Sequence, residues 1–332
     1  MKKDLHKEKV FKQKIEKGEF KFSYSSLNRL QFAPSLFYKD YILKEKEERL
    51  DKHLIAGKLI HLLLLQPEEF NNQFVLMPSK LPSDSLKKVI KNITLYTDAL
   101  TLDKVEDKII LDSLKEVGLY QSLKDEAKRI AKVRTIECND YYALASTTDK
   151  DVVDEDTFTK CTESVELIKE NADVFALLQD EPTDFEMDNL EVFNEAYLEC
   201  DLGNYSFGLK GYIDRYVIDH DKKEVKIIDV KTTGKTITDF PETVSFYKYW
   251  LQAAVYMVLV TKNLGEDAKD YKISFNFIVI DKYNQIYAFP VKQNTLSEWG
   301  LAMTDVLDEA EYHVTENRYD LPYMFLKNNP SL

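Results

Sequence analysis

Apolar and polar positions follow two different periods along the chain, and the change falls near residue 190. Between residues 68 and 185 apolar side chains recur at helical spacing, predicting helices over 84–101, 103–117, 120–134 and 155–179, with Pro78, Pro82 and Pro182 as punctuation. From Val192 the pattern becomes strand-like. Residues 193–200 (FNEAYLEC) alternate, placing Glu195, Tyr197 and Glu199 on one face. Residues 211–233, GYIDRYVIDHDKKEVKIIDVKTT, read as two strands joined by the polar break HDKK. Helical spacing returns over 243–260, two further strands follow at 271–280 and 284–291, and 295–317 reads as a closing helix. That order predicts an α/β sheet interrupted by a long helical insertion.

The beginning of the chain is less patterned. Residues 1–21 are charge-rich and predict a mobile tail. In 22–42, Ser25 or Ser26 can cap a helix carrying Leu27, Leu30 and Phe32, which Pro34 then interrupts. Residues 54–65, LIAGKLIHLLLL, form an apolar helix ended by Gln66 and Pro67. It contains His61, and a single histidine in such a helix is more often a hydrogen-bonded core residue than a metal ligand. Gly57, one turn earlier, permits close approach of another backbone. One domain is expected over 22–320, with its core over about 190–292 and a tail over 321–332.

The strand pair at 211–233 carries the candidate chemistry. If it closes symmetrically, Asp219 faces Glu224 and Asp214 stands opposite Asp229. Like charges directly opposed on paired strands are destabilising. Lys231 shares a face with Asp229 by the period of two, so an ammonium stands beside the two acids. A hard divalent cation takes oxygen ligands from one or two carboxylates and could activate water on a phosphodiester. The bland alternative is an exposed, solvated hairpin. The flanks weigh against it: Ile227, Ile228 and Val230 make a near-continuous apolar strand of the kind buried on both faces.

Composition narrows the picture only modestly. With 332 residues, 44% hydrophobic and 31% charged, the chain is an ordinary globular one. Its longest apolar run, 253–260, is far short of the roughly 20 residues of a spanning helix. The first ten residues lack the apolar core of a signal peptide, so a cytoplasmic protein without membrane contact is expected. Cys138, Cys161 and Cys200 are odd in number and lack CxxC spacing, which indicates neither a disulfide framework nor a zinc site. A net charge of −13 argues against a broadly basic nucleic-acid surface, though not against contact in a local groove.

Five motifs fall in a familiar order: GKLIH at 57–61, Glu195, GYID at 211–214, DVK at 229–231 and QAAVY at 252–256. Together they resemble the GxxxH, E, GxxD, (D/E)xK and QxxxY series of RecB-type nucleases in the PD-(D/E)XK superfamily. HLLLLQPEEFNNQFVLMP and IIDVKTT followed by YKYWLQAAVY resemble, more narrowly, the RecE-like exonuclease VIII group of phage proteins. The resemblance implies a restriction-endonuclease-like central mixed β-sheet flanked by helices. It implies Mg²⁺ or Mn²⁺ held by Asp214 and Asp229, joined by His61 and Glu195, with Lys231 polarising the attacking water. Gln252 and Tyr256 would bind DNA and order the site. An exonuclease acting on linear duplex ends is implied, as a homo-oligomer with a single-strand annealing partner of the RecT type. Some relatives carry an iron–sulfur cluster whose first cysteine precedes the early proline; here Ala33 precedes Pro34, and no cluster is expected. The competing expectations are a DNA-end-binding scaffold with weak catalysis, and a nuclease for single-stranded or flap DNA.

Overall fold

The computed structural model describes residues 2–45, 52–146, 150–179 and 189–328; Pro182 lies outside them. Two compact units are present, one made of Met1–Arg49 with Leu167–Leu332 and the other of Leu50–Glu166.

In the first unit, α1 (Lys2–Glu16) is a helix where a mobile tail was expected, because Phe11 and Ile15, four residues apart, are buried in the core. Next come β1 (Lys21–Phe22) and α2 (Tyr24–Phe32). Ser23 caps α2, not Ser25 or Ser26, and Ser26 completes its capping box. Pro34 ends α2 as expected and opens α3 (Pro34–Phe37).

The second unit contains α4 (Lys52–Leu65), α5 (Phe70–Gln73), β2 (Phe74–Leu76), α6 (Asp84–Thr94), α7 (Asp107–Val117), α8 (Glu126–Val133), α9 (Ile136–Ala145) and β3 (Asp151–Val153). The strands β2 and β3 pair in parallel. Val89, Ile90 and Ile93 of α6 share a core with Ile110, Leu114 and Tyr142. The unit thus begins and ends earlier than the insertion expected over 68–185.

After α10 (Glu155–Glu170) and α11 (Ala172–Phe175) come β4 (Leu190–Asp201), β5 (Gly208–Asp219) and β6 (Glu224–Thr233). Then follow α12 (Phe240–Phe246), α13 (Tyr249–Leu264), β7 (Lys272–Asp281), β8 (Ile286–Val291), α14 (Gln293–Glu316) and α15 (Tyr323–Asn328). The last falls where a tail was expected. The helix predicted over 243–260 is two helices, broken at Lys248, which takes a left-handed conformation (φ 55°).

The sheet runs β4-β5-β6-β7-β8 and is mixed: β6 and β7 are parallel, and the other neighbours in that run are antiparallel. A parallel pair needs a crossover, which α12 and α13 supply. Val225, Ile227, Ile228 and Val230 of β6 are fully buried, as an apolar strand between two neighbours should be. The helix α13 packs on β4 and β5 and against α14. Among the described residues no helix is long and apolar enough to cross a membrane.

Candidate active site

The strand β5 has β4 along one edge over its whole length. On its other edge it meets β1 at Gly208 and Leu209 and β6 from Arg215 onward. Residues 210–214 therefore line a gap between β1 and β6, and Asp214 is the residue at the fork.

The hairpin register is the symmetric one, with Asp219 paired to Glu224 and the ladder running to Arg215 and Ile228. One step further the count sets Asp214 across from Asp229, but the ladder has stopped. In its place Asp214 Oδ2 accepts the backbone N–H of Val230 at 2.7 Å. On the other side, Asn194 pairs with Arg215 and Ala196 with Ile213, which leaves Glu195 across from Asp214. That ladder is interrupted as well, because Glu195 has φ 47°. A glutamate held in the left-handed region stores about 1–3 kcal/mol of strain. Three carboxylates thus stand in one row across β4, β5 and β6.

Glu195 and Asp214 have carboxylate oxygens within 4.8 Å of each other. Asp229 does not share that spacing with both of them. Its Oδ2 instead lies 2.5 Å from Lys231 Nζ, and its side chain is fully buried. Burial alone would lower the Lys231 pKa, but the carboxylates of Asp229 and Asp214 outweigh it and hold the ammonium above its ordinary 10.5. Nζ also lies 4.9 Å from the Tyr249 ring centroid.

Gln252 and Tyr256, one turn apart on α13, are buried. Gln252 Nε2 donates to Tyr256 Oη at 2.8 Å. Gln252 Oε1 is buried with no hydrogen-bond partner among the described residues. Burial raises the Tyr256 pKa well above that of an ordinary phenol, and the charges of Asp214 and Asp229 add to it. Gly211 explains how the helix reaches the acids: a Cβ there would lie 3.2 Å from both Tyr256 Cε1 and Leu259 Cδ1. His61 lies in α4 of the second unit and is half-buried.

Glu195, Asp214 and Asp229 lie on three adjacent strands, with Lys231 against Asp229. Tyr249, expected near the Gln252 and Tyr256 face, also lies under Lys231, and Gly211, the G of GYID, seats Tyr256. A cleft of about 1070 Å³ is formed within residues 70–155 and contains none of these residues.

Glu195 and Asp214 offer carboxylate oxygens. Two carboxylates this close repel unless a proton or cation lies between them, and a hard divalent ion fits such donors.

A family model described as the PD-(D/E)XK nuclease superfamily matches residues 21–319. The fold is similar to a solved Eubacterium rectale protein, provisionally designated an exonuclease, at 13% identity and TM-score 0.45, covering 97% of this chain and 91% of that one. Among curated proteins, none matches.

Proposed function

This chain belongs to the PD-(D/E)XK nuclease superfamily, and we propose that it is a metal-dependent DNA exonuclease that hydrolyses phosphodiesters at the fork between β5 and β6. The observation that carries the reading is the row of Glu195, Asp214 and Asp229 with Lys231 Nζ against Asp229, set where two strand ladders open. Asp214 and Glu195 would hold Mg²⁺ or Mn²⁺, with Asp229 alongside. The bound ion supplies Lewis-acid stabilisation of the phosphoryl oxygens and a more acidic water.

The remaining work falls to the chain's own groups. The carboxylates of Asp229 and Asp214 hold the Lys231 pKa above its ordinary value, which favours a donor over a general base. It donates hydrogen bonds that orient the attacking water and meet negative charge developing on phosphate. Asp229 fixes the ammonium in place through the 2.5 Å contact. Gln252 and Tyr256, buried and bonded to each other, would order the site through the Tyr256 ring packed at Gly211 of β5. The GKLIH resemblance brings His61 into the same reading as a further metal ligand. The resemblance likewise supports action at linear duplex ends in recombination, with a RecT-type annealing partner and a homo-oligomeric enzyme.

The test is incubation of end-labelled linear and circular duplex with the protein and Mg²⁺ or Mn²⁺. Release of nucleotides from linear DNA only, lost in Asp229→Ala and Lys231→Ala, is the expected result. Cleavage that persists in both variants would count against the site. Titration calorimetry with Mn²⁺ checks the ligand assignments: Asp214→Ala, Glu195→Ala and His61→Ala should each weaken binding, whereas unchanged affinity in His61→Ala removes the histidine from the set.

A further inference from the structure

The turn between α12 and α13 exposes aromatic rings beside the proposed catalytic lysine, which the hydrolytic reading does not explain. Phe246 is 74% exposed and Tyr247 46%. Large apolar side chains left open together on a surface are informative, because burial would stabilise them. The rings form a series. Lys231 Nζ lies 4.9 Å from the Tyr249 centroid, and Tyr249 stacks on Tyr247 at 5.6 Å and 25°. Tyr247 in turn meets Phe246 edge to face at 4.9 Å. Lys235 Nζ stands 5.6 Å from the Phe246 centroid at the far end. Aromatic faces with a cation at each end match a nucleotide strand, whose bases stack and whose phosphates carry charge.

The turn is held in place. The carbonyl oxygen of Tyr247 accepts hydrogen bonds from Tyr24 Oη and, at 3.3 Å, from Asn28 Nδ2, both on α2. Lys248, left-handed at φ 55°, donates from Nζ to Gln31 Oε1 at 3.0 Å. The strained residue sits between the two helices and aims Tyr247 and Tyr249 along one line, so these rings are presented in a fixed arrangement before any ligand arrives.

We propose that Tyr247 and Phe246 stack on unpaired bases of the substrate strand next to the reacting phosphate, so that the strand enters the site single-stranded even when the substrate is a duplex end. This rests on the nuclease reading and specifies the state of the strand within it. Stacking tolerates every base, so the platform gives affinity without sequence preference. Lys235 and Lys231 meet the phosphates on either side.

The experiment uses the full chain without metal and labelled single-stranded oligonucleotides in which successive positions near the end are made abasic, with binding read by fluorescence anisotropy. Losing the base at the platform should weaken wild-type binding about tenfold. Phe246→Ala and Tyr247→Ala should bind intact and abasic strands alike, and Phe246→Trp should restore the difference. Equal wild-type affinity for intact and abasic strands overturns the proposal, as does discrimination that survives in both alanine variants. Loss of self-association in Phe246→Ala with DNA affinity unchanged also overturns it, in favour of a protein contact. Metal-dependent cleavage is measured in parallel: cleavage without an abasic effect defeats the platform alone, and an abasic effect without cleavage in Mg²⁺ or Mn²⁺ defeats the nuclease reading alone.

Discussion

Lys231→Ala separates what the ammonium does for the fold from what it does for the reaction. Asp229 is fully buried and Lys231 keeps only 14% of its side chain exposed, at an N to O distance of 2.5 Å. Removing one partner of a buried pair leaves the other charge uncompensated and costs about 3–5 kcal/mol. The small opening at the lysine puts this site toward the lower end. For a protein of 332 residues that corresponds to a fall in Tm of roughly 4–7 °C, readable by calorimetry. The rate should fall about 10²–10³-fold at saturating metal, the loss typical of one preorganised donor. The double variant Lys231→Met/Asp229→Leu removes both charges and keeps apolar volume, so most of the stability should return. Its cleavage should stay at background. A single variant that melts with wild type would refute the buried pair, and a double variant that still cuts DNA would refute its role in the chemistry.

Four other outcomes are expected. The folded pKa of Lys231 is raised above 10.5, so its stabilisation is complete below 10.5 and is lost only as pH rises through the folded value; a cleavage limb titrating near neutrality that vanishes in Lys231→Arg would contradict this. Gly211→Ala drives a Cβ to 3.2 Å from Tyr256 and Leu259, so denaturant unfolding should report a loss of about 1–3 kcal/mol together with lower activity. Glu195→Asn relieves a left-handed glutamate with a residue that tolerates that conformation, and should raise stability by roughly 0.5–1 kcal/mol while lowering cleavage. Asp214→Asn keeps an acceptor for the Val230 N–H, whereas Asp214→Ala leaves it buried and unmet at about 1–3 kcal/mol, so both should lose activity but only the alanine variant should melt early.

The hairpin was legible because its two ends constrain each other. The HDKK break fixes Asp219 against Glu224, and a period of two then carries the count to Asp214 and Asp229 without further information. The apolar run of β6 was legible for a similar reason, since a strand covered on both faces needs no polar alternation. The α1 helix was not, because among its described side chains only Phe11 and Ile15 are buried, within a lysine-rich stretch. The break at Lys248 had no glycine or proline to announce it; contacts from α2 hold that backbone, and they come from residues more than 200 positions away. Glu195 was legible as a strand residue but not as a strained one, because no glycine or asparagine marks the left-handed position. β1, β2 and β3 are two or three residues long, too short for any period to register.

The fork explains why the acids occur in this part of the sheet and not at an edge. In a complete ladder every backbone N–H on a central strand is taken by a neighbouring carbonyl, and a carboxylate has no donor to receive. Where β6 leaves β5, the Val230 N–H is released from the ladder toward β5 and Asp214 takes it. Val230 lies between Asp229 and Lys231, so one contact from β5 fixes the strand segment carrying both. The second ladder fails at Glu195, one position across, which brings its carboxylate to Asp214 from the other side. Two interruptions in adjacent ladders thus convert backbone hydrogen bonding into side-chain placement. The burial given by β7 and α13 then keeps water from screening the charges, and this is the condition under which Lys231 holds its proton and a carboxylate row retains a demand for a cation.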